Sequence, residues 1–125
     1  MGTDGENGAG ATLTPAGFHI LLALADEERH GYGIMQEVAR RTDGEVRLNS
    51  GTLYRSIRQL LAAGLIAESG DRPDPALDDE RRRYYHLTVG GRAAAAAEAA
   101  RLERLVAIAR AKHILRLPHA EGASS

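Results

Sequence analysis

Three short amphipathic helical patterns in a row, followed directly by two strand-like segments, constrain the fold of this chain more than any other feature. Thr14 before Pro15 predicts the start of the first helix, and a short connection ending at Gly31 leads into the second. The third pattern begins at a cap supplied by Asn49 or Ser50. These starts predict three consecutive helices of a few turns each.

Gly64 follows the third pattern at the position where a left-handed helix cap is expected. Beyond it, residues 65–68 and 82–87 read as the two strands of a hairpin, and residues 69–81 form its long tip. Residues 45–48 lie between two helix breakers and predict one further small strand. The chain therefore places a hairpin immediately after its third helix.

Thr88 caps a final segment that is rich in alanine at first and then patterned by leucines, which predicts a long helix to about residue 117. Three helices, a hairpin and a long helix give a mainly α fold with a small β-hairpin, a winged helix-turn-helix with a long C-terminal dimerisation helix. In such folds the third helix enters the major groove and the hairpin lies over neighbouring backbone.

The 125 residues suffice for one folded domain between polar ends. We expect disordered tails at residues 1–12 and 118–125, a winged-helix DNA-binding domain at residues 13–88 and a dimerisation helix at residues 89–117. The chain has no cysteine, which excludes disulfides and thiolate metal sites. With no apolar run long enough to span a bilayer and no secretory signal, we expect a cytoplasmic protein without membrane contact.

DNA affinity in this chain must come from local clusters of arginine, because the formal net charge is only −1. Of the 16 lysine and arginine residues only Lys112 is a lysine. This preference for arginine suits bidentate contacts to phosphate and guanine but also fits a GC-rich coding bias. In the third helix the apolar stripe leaves polar side chains on the opposite face, with Tyr54 at its margin: Thr52, Arg55, Arg58 and Gln59. These residue types bind guanine edges, adenine and phosphates, although the same pattern is found on ordinary solvated helix faces.

The hairpin carries a second basic cluster at Arg81, Arg82 and Arg83. On DNA it would add salt-sensitive backbone affinity, and the alternative is a solvated edge strand protected by charge. Because the tip is acidic and would repel phosphate, we expect the base of the hairpin to contact DNA.

Catalysis and metal binding find no support in the sequence. The five histidines lack the spacing of metal ligands, and the serines have no base and orienting acid nearby. We therefore predict no enzyme activity, no metal and no cofactor.

Four motifs, in order along the chain, resemble the PadR-like family of winged-helix regulators. They are Leu13-Thr14, His30-Gly31-Tyr32-Gly33-Ile34, Ser50-Gly51-Thr52-Leu53-Tyr54 with Gly64-Leu65-Ile66, and Arg82-Arg83-Tyr84-Tyr85-His86-Leu87-Thr88 with Gly91. The short carboxyl end is similar to that of members with one long terminal helix.

The resemblance implies a homodimer that binds a pseudo-palindromic operator, with an effector held at the dimer interface in some members. It implies a DNA-facing set by motif position: Ser50, Thr52, Tyr54, Arg55 and Arg58, with Arg82 and Arg83 on the wing. The terminal helix would pack against the partner protomer.

The apolar residues of the terminal helix support a dimer independently, since they exceed what a small core needs. We predict a dimer interface at five of them: Leu102, Leu105, Val106, Ile108 and Ala109. The alternative is a helix folded back on its own domain. The leading hypothesis is a ligand-responsive repressor, and the alternative is a winged-helix protein-interaction module without specific DNA binding.

Overall fold

The computed structural model describes residues 13–71 and 83–116. Within these residues the chain forms four helices and three strands: α1 (Pro15–Ala23), β1 (Arg29–His30), α2 (Gly31–Arg41), α3 (Ser50–Ala62), β2 (Ile66–Asp71), β3 (Arg83–Leu87) and α4 (Val89–Ala111). This order confirms the mainly α, winged helix-turn-helix fold with a long C-terminal helix. The predicted end of that helix near residue 117 is wrong, because the helix ends at Ala111 and His113 takes a left-handed backbone conformation, with a φ of +63°. The predicted tails, the hairpin tip from residue 72 and Arg82 lie outside the described residues.

Every described helix begins at a side chain that accepts a hydrogen bond from the amide three residues further on. The four capping residues are Thr14, His30, Asn49 and Thr88, at distances of 2.8 to 2.9 Å. Such caps satisfy amides that the first turn of a helix leaves without partners. Of the two residues predicted to cap the third helix, Asn49 is the cap, and Ser50 is the first helical residue.

The antiparallel sheet has β3 at its centre, in the order β1-β3-β2. Arg29 pairs with Tyr85 and Ile66 with Leu87, and a register irregularity follows Glu68. The predicted hairpin is confirmed, with β2 running further, to Asp71, than the sequence indicated. Alternation of side chains along a strand predicts that one of Tyr84 and Tyr85 faces inward, and Tyr85 is that residue, at 4% exposed.

The small strand predicted at residues 45–48 is wrong. The amide of Glu45 donates to the carbonyl of Thr42 at 3.0 Å, and the amide of Val46 donates to the Thr42 hydroxyl at 3.0 Å. Because Thr42 takes these donors, the segment continues the turn that ends α2. The strand that joins the hairpin in the sheet is instead β1, which lies in the polar connection between α1 and α2, where the sequence predicted no strand.

The core lies between α1, α2, α3 and the inner face of the sheet. Its fully buried large side chains come from all of these elements: Ile20, Leu21, Ile34, Val38, Leu53, Ile57 and Ile66. The start of α4 joins this core through Ala94 and Ala95, which pack against it. The core thus fixes α3 by one face and leaves its other face at the surface.

The chain divides into two compact units, Met1–Ala95 and Ala96–Ser125, so the division falls inside α4. The predicted boundary between residues 88 and 89 separates a DNA-binding domain from a dimerisation helix by their expected functions, and it stays a prediction. In residues 13–71 and 83–116, no helix combines the length and apolar character needed to cross a membrane.

Candidate nucleic-acid interface

Helix α3 has one buried face and one exposed face, as its apolar spacing predicts. Leu53, Ser56, Ile57 and Leu60 are buried. The polar side chains predicted to meet DNA divide by exposure: Ser50, Arg55, Arg58 and Gln59 are exposed, and Thr52 and Tyr54 are half-buried. The helix therefore presents two guanidinium groups about one turn apart on its outer surface, with the Gln59 amide next to the second of them.

Arg55 and Arg58 differ electrostatically from the arginines of α2. Arg40 and Arg41 both contact the Glu37 carboxylate, at 2.7 and 3.2 Å. In the part of the chain that the structure describes, no acidic side chain forms an ion pair with Arg55 or Arg58. The positive charge of α3 is thus available to an anionic partner, whereas the two arginines of α2 share the single Glu37 carboxylate.

The geometry of Tyr54 gives it a structural role beside any contact to DNA. Its ring packs against the core and lies directly over Gly31, the first residue of α2. A Cβ at Gly31 would overlap the Tyr54 ring, so the glycine permits this close approach. Tyr54 thereby fixes α3 against the start of α2.

The wing contributes Arg83, which is exposed at the start of β3. Arg82, the other predicted wing contact, lies outside the described residues, as do the acids of the tip from residue 74 onwards. At the base of the wing the Ser69 hydroxyl and His86 Nδ1 are 2.7 Å apart, across the bulge in β2. The base of the hairpin is held by side-chain contacts as well as by the strand ladder.

The predicted dimer residues of α4 fall into two exposure classes. Leu105, Val106 and Ile108 are exposed, while Leu102 and Ala109 are half-buried. Exposed fractions of 49% for Leu105 and 50% for Ile108 are large for branched apolar side chains. Clustered exposure of this kind is typical of a surface that another molecule covers.

One ion pair lies one turn before these residues on α4. Arg101 donates hydrogen bonds to both Glu98 oxygens, at 3.0 and 2.5 Å, and Glu98 is only 8% exposed. The hydrogen bond from Arg101 lowers the pKa of Glu98 and raises that of Arg101. Both groups therefore stay charged at neutral pH, beside a set of apolar side chains.

The histidines take local structural roles where they are described. His30 caps α2 through Nδ1, which accepts from the Gly33 amide at 2.8 Å. His19 lies beside Arg41. Its pKa is lowered mainly by burial and to a lesser extent by the positive charge of Arg41. Among the described residues, no three histidine, aspartate or glutamate side chains come together as metal ligands would.

The sequence placed Tyr32 in a family motif and gave no indication that it could contact DNA. The side chain is exposed at the start of α2, and its ring stacks on His30. Sequence alone does not show whether an aromatic residue in the first turn of a helix is exposed, because its exposure depends on neighbours from other elements. Tyr32 is thus an exposed aromatic residue next to Gly31, which contacts α3.

Comparison with known proteins agrees with this arrangement. The model of the transcriptional regulator PadR-like family matches residues 20–97, which run from the middle of α1 into α4. No curated protein sequence matches the chain significantly.

Solved structures give similar folds. A PadR family transcription regulator from Clostridium difficile R20291 is 22% identical, with 78% of this chain and 96% of that chain covered and a TM-score of 0.64. A transcriptional regulator from Clostridium thermocellum is 22% identical over 76% of this chain and 86% of that chain, with a TM-score of 0.64. BpsR from Bordetella bronchiseptica, whose DNA binding is regulated by 6-hydroxynicotinic acid, is 26% identical over 92% and 75%, with a TM-score of 0.62.

Proposed function

The chain belongs to the PadR-like family of transcriptional regulators, and we propose that it acts as a homodimeric repressor that binds a pseudo-palindromic operator and responds to a small effector. Members of this family are transcription regulators rather than enzymes. The observation that carries the proposal is the outer face of α3, where Arg55 and Arg58 are exposed without an acidic partner among the described residues. Arginine on a recognition helix binds guanine edges in the major groove and adjacent phosphates.

The fold supports this use of α3. Its buried face is fixed by the core and its start is fixed by Asn49 and by the contact of Tyr54 with Gly31. A helix held in this way positions its side chains accurately for contacts to base edges. It also loses little conformational entropy when it binds. Arg83, which pairs with Asp71 at the tip end of the strand ladder, adds a sequence-independent phosphate contact in this proposal.

The dimer rests on α4. The exposed Leu105, Val106 and Ile108 form the apolar part of the proposed interface, and a two-fold protein suits a two-fold operator. In this arrangement the partner covers a surface that would otherwise remain in water.

Effector response is the part of the proposal that depends on a relative. BpsR, a structural neighbour, changes its DNA binding with 6-hydroxynicotinic acid. We propose that a small molecule likewise shifts the separation of the two α3 helices here, so that they no longer fit successive major grooves.

Fluorescence anisotropy tests the DNA-binding part. The full chain is titrated into labelled duplex from its own upstream region and into a scrambled duplex of the same composition, at several salt concentrations. We expect tighter binding to the upstream duplex, weakened by salt in both cases. Absence of binding at low salt would contradict the proposal and favour a protein-interaction module.

A further inference from the structure

Tyr32 stands out on the unit Met1–Ala95 because it exposes a large aromatic ring. It is 39% exposed, in a chain with four tyrosines, one phenylalanine and no tryptophan. Exposing a ring forgoes the free energy that its burial would supply, so an exposed aromatic in a fixed position is a candidate contact. The surroundings of Tyr32 indicate which partner it fits.

On one side, Tyr32 is linked to the wing through His30. The His30 and Tyr32 rings stack with centroids 6.4 Å apart, and the Tyr84 ring meets His30 edge-on at 5.2 Å. His30 and Tyr84 are also cross-strand partners of β1 and β3. Because His30 Nδ1 accepts from the Gly33 amide, the imidazole that supports Tyr32 is held in place.

On the other side, Tyr32 follows a residue that contacts α3. Gly31, the residue before it, lies directly under the Tyr54 ring. Tyr54 is followed by the exposed Arg55, and Tyr84 is preceded by the exposed Arg83. Tyr32 is therefore the exposed member of a strip of contacting residues, Tyr54-Gly31-His30-Tyr32-Tyr84, that connects α3 to β3. Gly31 is buried and the other three residues are half-buried.

We propose that Tyr32 contacts the sugar–phosphate backbone of DNA between the groove entered by α3 and the backbone beside the wing. This inference rests on the proposed function and adds a residue outside the arginine set. In helix-turn-helix proteins the helix before the recognition helix crosses the backbone, and tyrosine hydroxyls are among the groups that bind phosphate oxygens.

The chemistry of the contact gives it a distinctive signature. A tyrosine hydroxyl is neutral, so its contact with phosphate releases few counterions and carries no sequence information. Loss of an arginine that contacts a base changes sequence specificity, and loss of an arginine that contacts phosphate changes the salt dependence of binding. Loss of the Tyr32 hydroxyl should lower affinity and leave both specificity and salt dependence unchanged.

The test is Tyr32→Phe in the anisotropy assay, with upstream and scrambled duplexes. Removal of the hydroxyl is expected to weaken both complexes by the same factor, about 3- to 10-fold, as for one hydrogen bond. The ratio of the two affinities and the slope of log affinity against log salt should equal those of the wild type.

Tyr32→Glu provides a second variant, since a carboxylate at this site repels phosphate and should weaken binding more strongly than Tyr32→Phe at low salt. Its matched control is Ala93→Glu, an exposed position on α4 with a comparable gain of negative charge. The control should bind DNA as the wild type does, and circular dichroism verifies that each variant is folded.

Wild-type affinity for both duplexes in Tyr32→Phe would overturn the inference and leave the proposed function standing. Loss of affinity for the upstream duplex alone would also overturn it, because that result assigns Tyr32 to a base. If the wild-type chain binds neither duplex, the proposed function fails and the inference fails with it.

Discussion

At the scale of the residue, Gly91 sets how closely α4 approaches the end of α3. A Cβ at this position would overlap the carbonyl oxygen of Leu65 and lie 2.8 Å from Leu87 Cδ1. Thr88 closes the same junction, because its hydroxyl donates to the Gly64 carbonyl at 2.7 Å and accepts from the Gly91 amide at 2.9 Å. The glycine is required by space, since its φ is not in the left-handed region.

Gly91→Ala is expected to destabilise the fold by about 1–3 kcal/mol, the usual range for overpacking, because the backbone of Leu65 must move. The free energy of unfolding from urea denaturation measures the effect. Gly90→Ala is the matched control, since the nearest atom to a Cβ there is the Gly64 carbonyl oxygen at 3.6 Å. The better helix propensity of alanine should leave the stability of this variant unchanged or slightly higher. Equal losses in the two variants would contradict this reading of the junction.

Arg55 belongs to the same scale. Arg55→Ala should cost about 1–3 kcal/mol of binding to the upstream duplex and lower its preference over scrambled DNA, because a bidentate base contact is lost. Arg104→Ala removes the same charge from an exposed position on α4 and should leave specificity unchanged. Unaltered affinity in Arg55→Ala would remove Arg55 from the interface.

Residue-level prediction from sequence succeeded where a single physical rule decides the outcome. Alternation along β3 places Tyr85 inside, and a helix C-terminus favours Gly64, whose φ is +76°. No sequence pattern indicated that Ser56 on α3 is buried, because burial of a small hydroxyl depends on neighbours from other elements.

At the scale of the element, helices were predictable and short extended segments were not. Caps and apolar spacing are local signals, so the starts of α1, α3 and α4 follow from sequence. The two residues of β1 pair only with β3, far along the chain, and no local pattern encodes that pairing. Residues 45–48 show the converse, because Thr42 satisfies their first amides and the segment needs no strand partner.

The dimer prediction belongs to α4. Leu105→Glu combined with Ile108→Glu should yield a monomer by light scattering, because two carboxylates would be buried without partners at the interface. Ala100→Glu combined with Ala107→Glu adds the same charge on the opposite side of the helix, at exposed positions, and should remain a dimer. A dimer that persists in the first variant would place the interface elsewhere.

At the scale of the whole molecule, the near-neutral chain places Arg55 and Arg58 on the exposed face of α3, where neither has an acidic partner among the described residues. A formal net charge of −1 provides no general attraction to DNA, so affinity must depend on where the arginines lie. The sequence allowed the order of elements and the polar face of α3 to be predicted. The strip around Tyr32 could not be predicted, because it arises where β1, α2, α3 and β3 meet.

The most direct test of a two-fold operator reader is selection of bound duplexes from a random-sequence pool by the wild-type chain, followed by sequencing. The account predicts enrichment of an inverted repeat whose half-site centres are about 34 Å apart, one turn of DNA. Enrichment of a single half-site without a symmetric partner, or of no sequence at all, would contradict it.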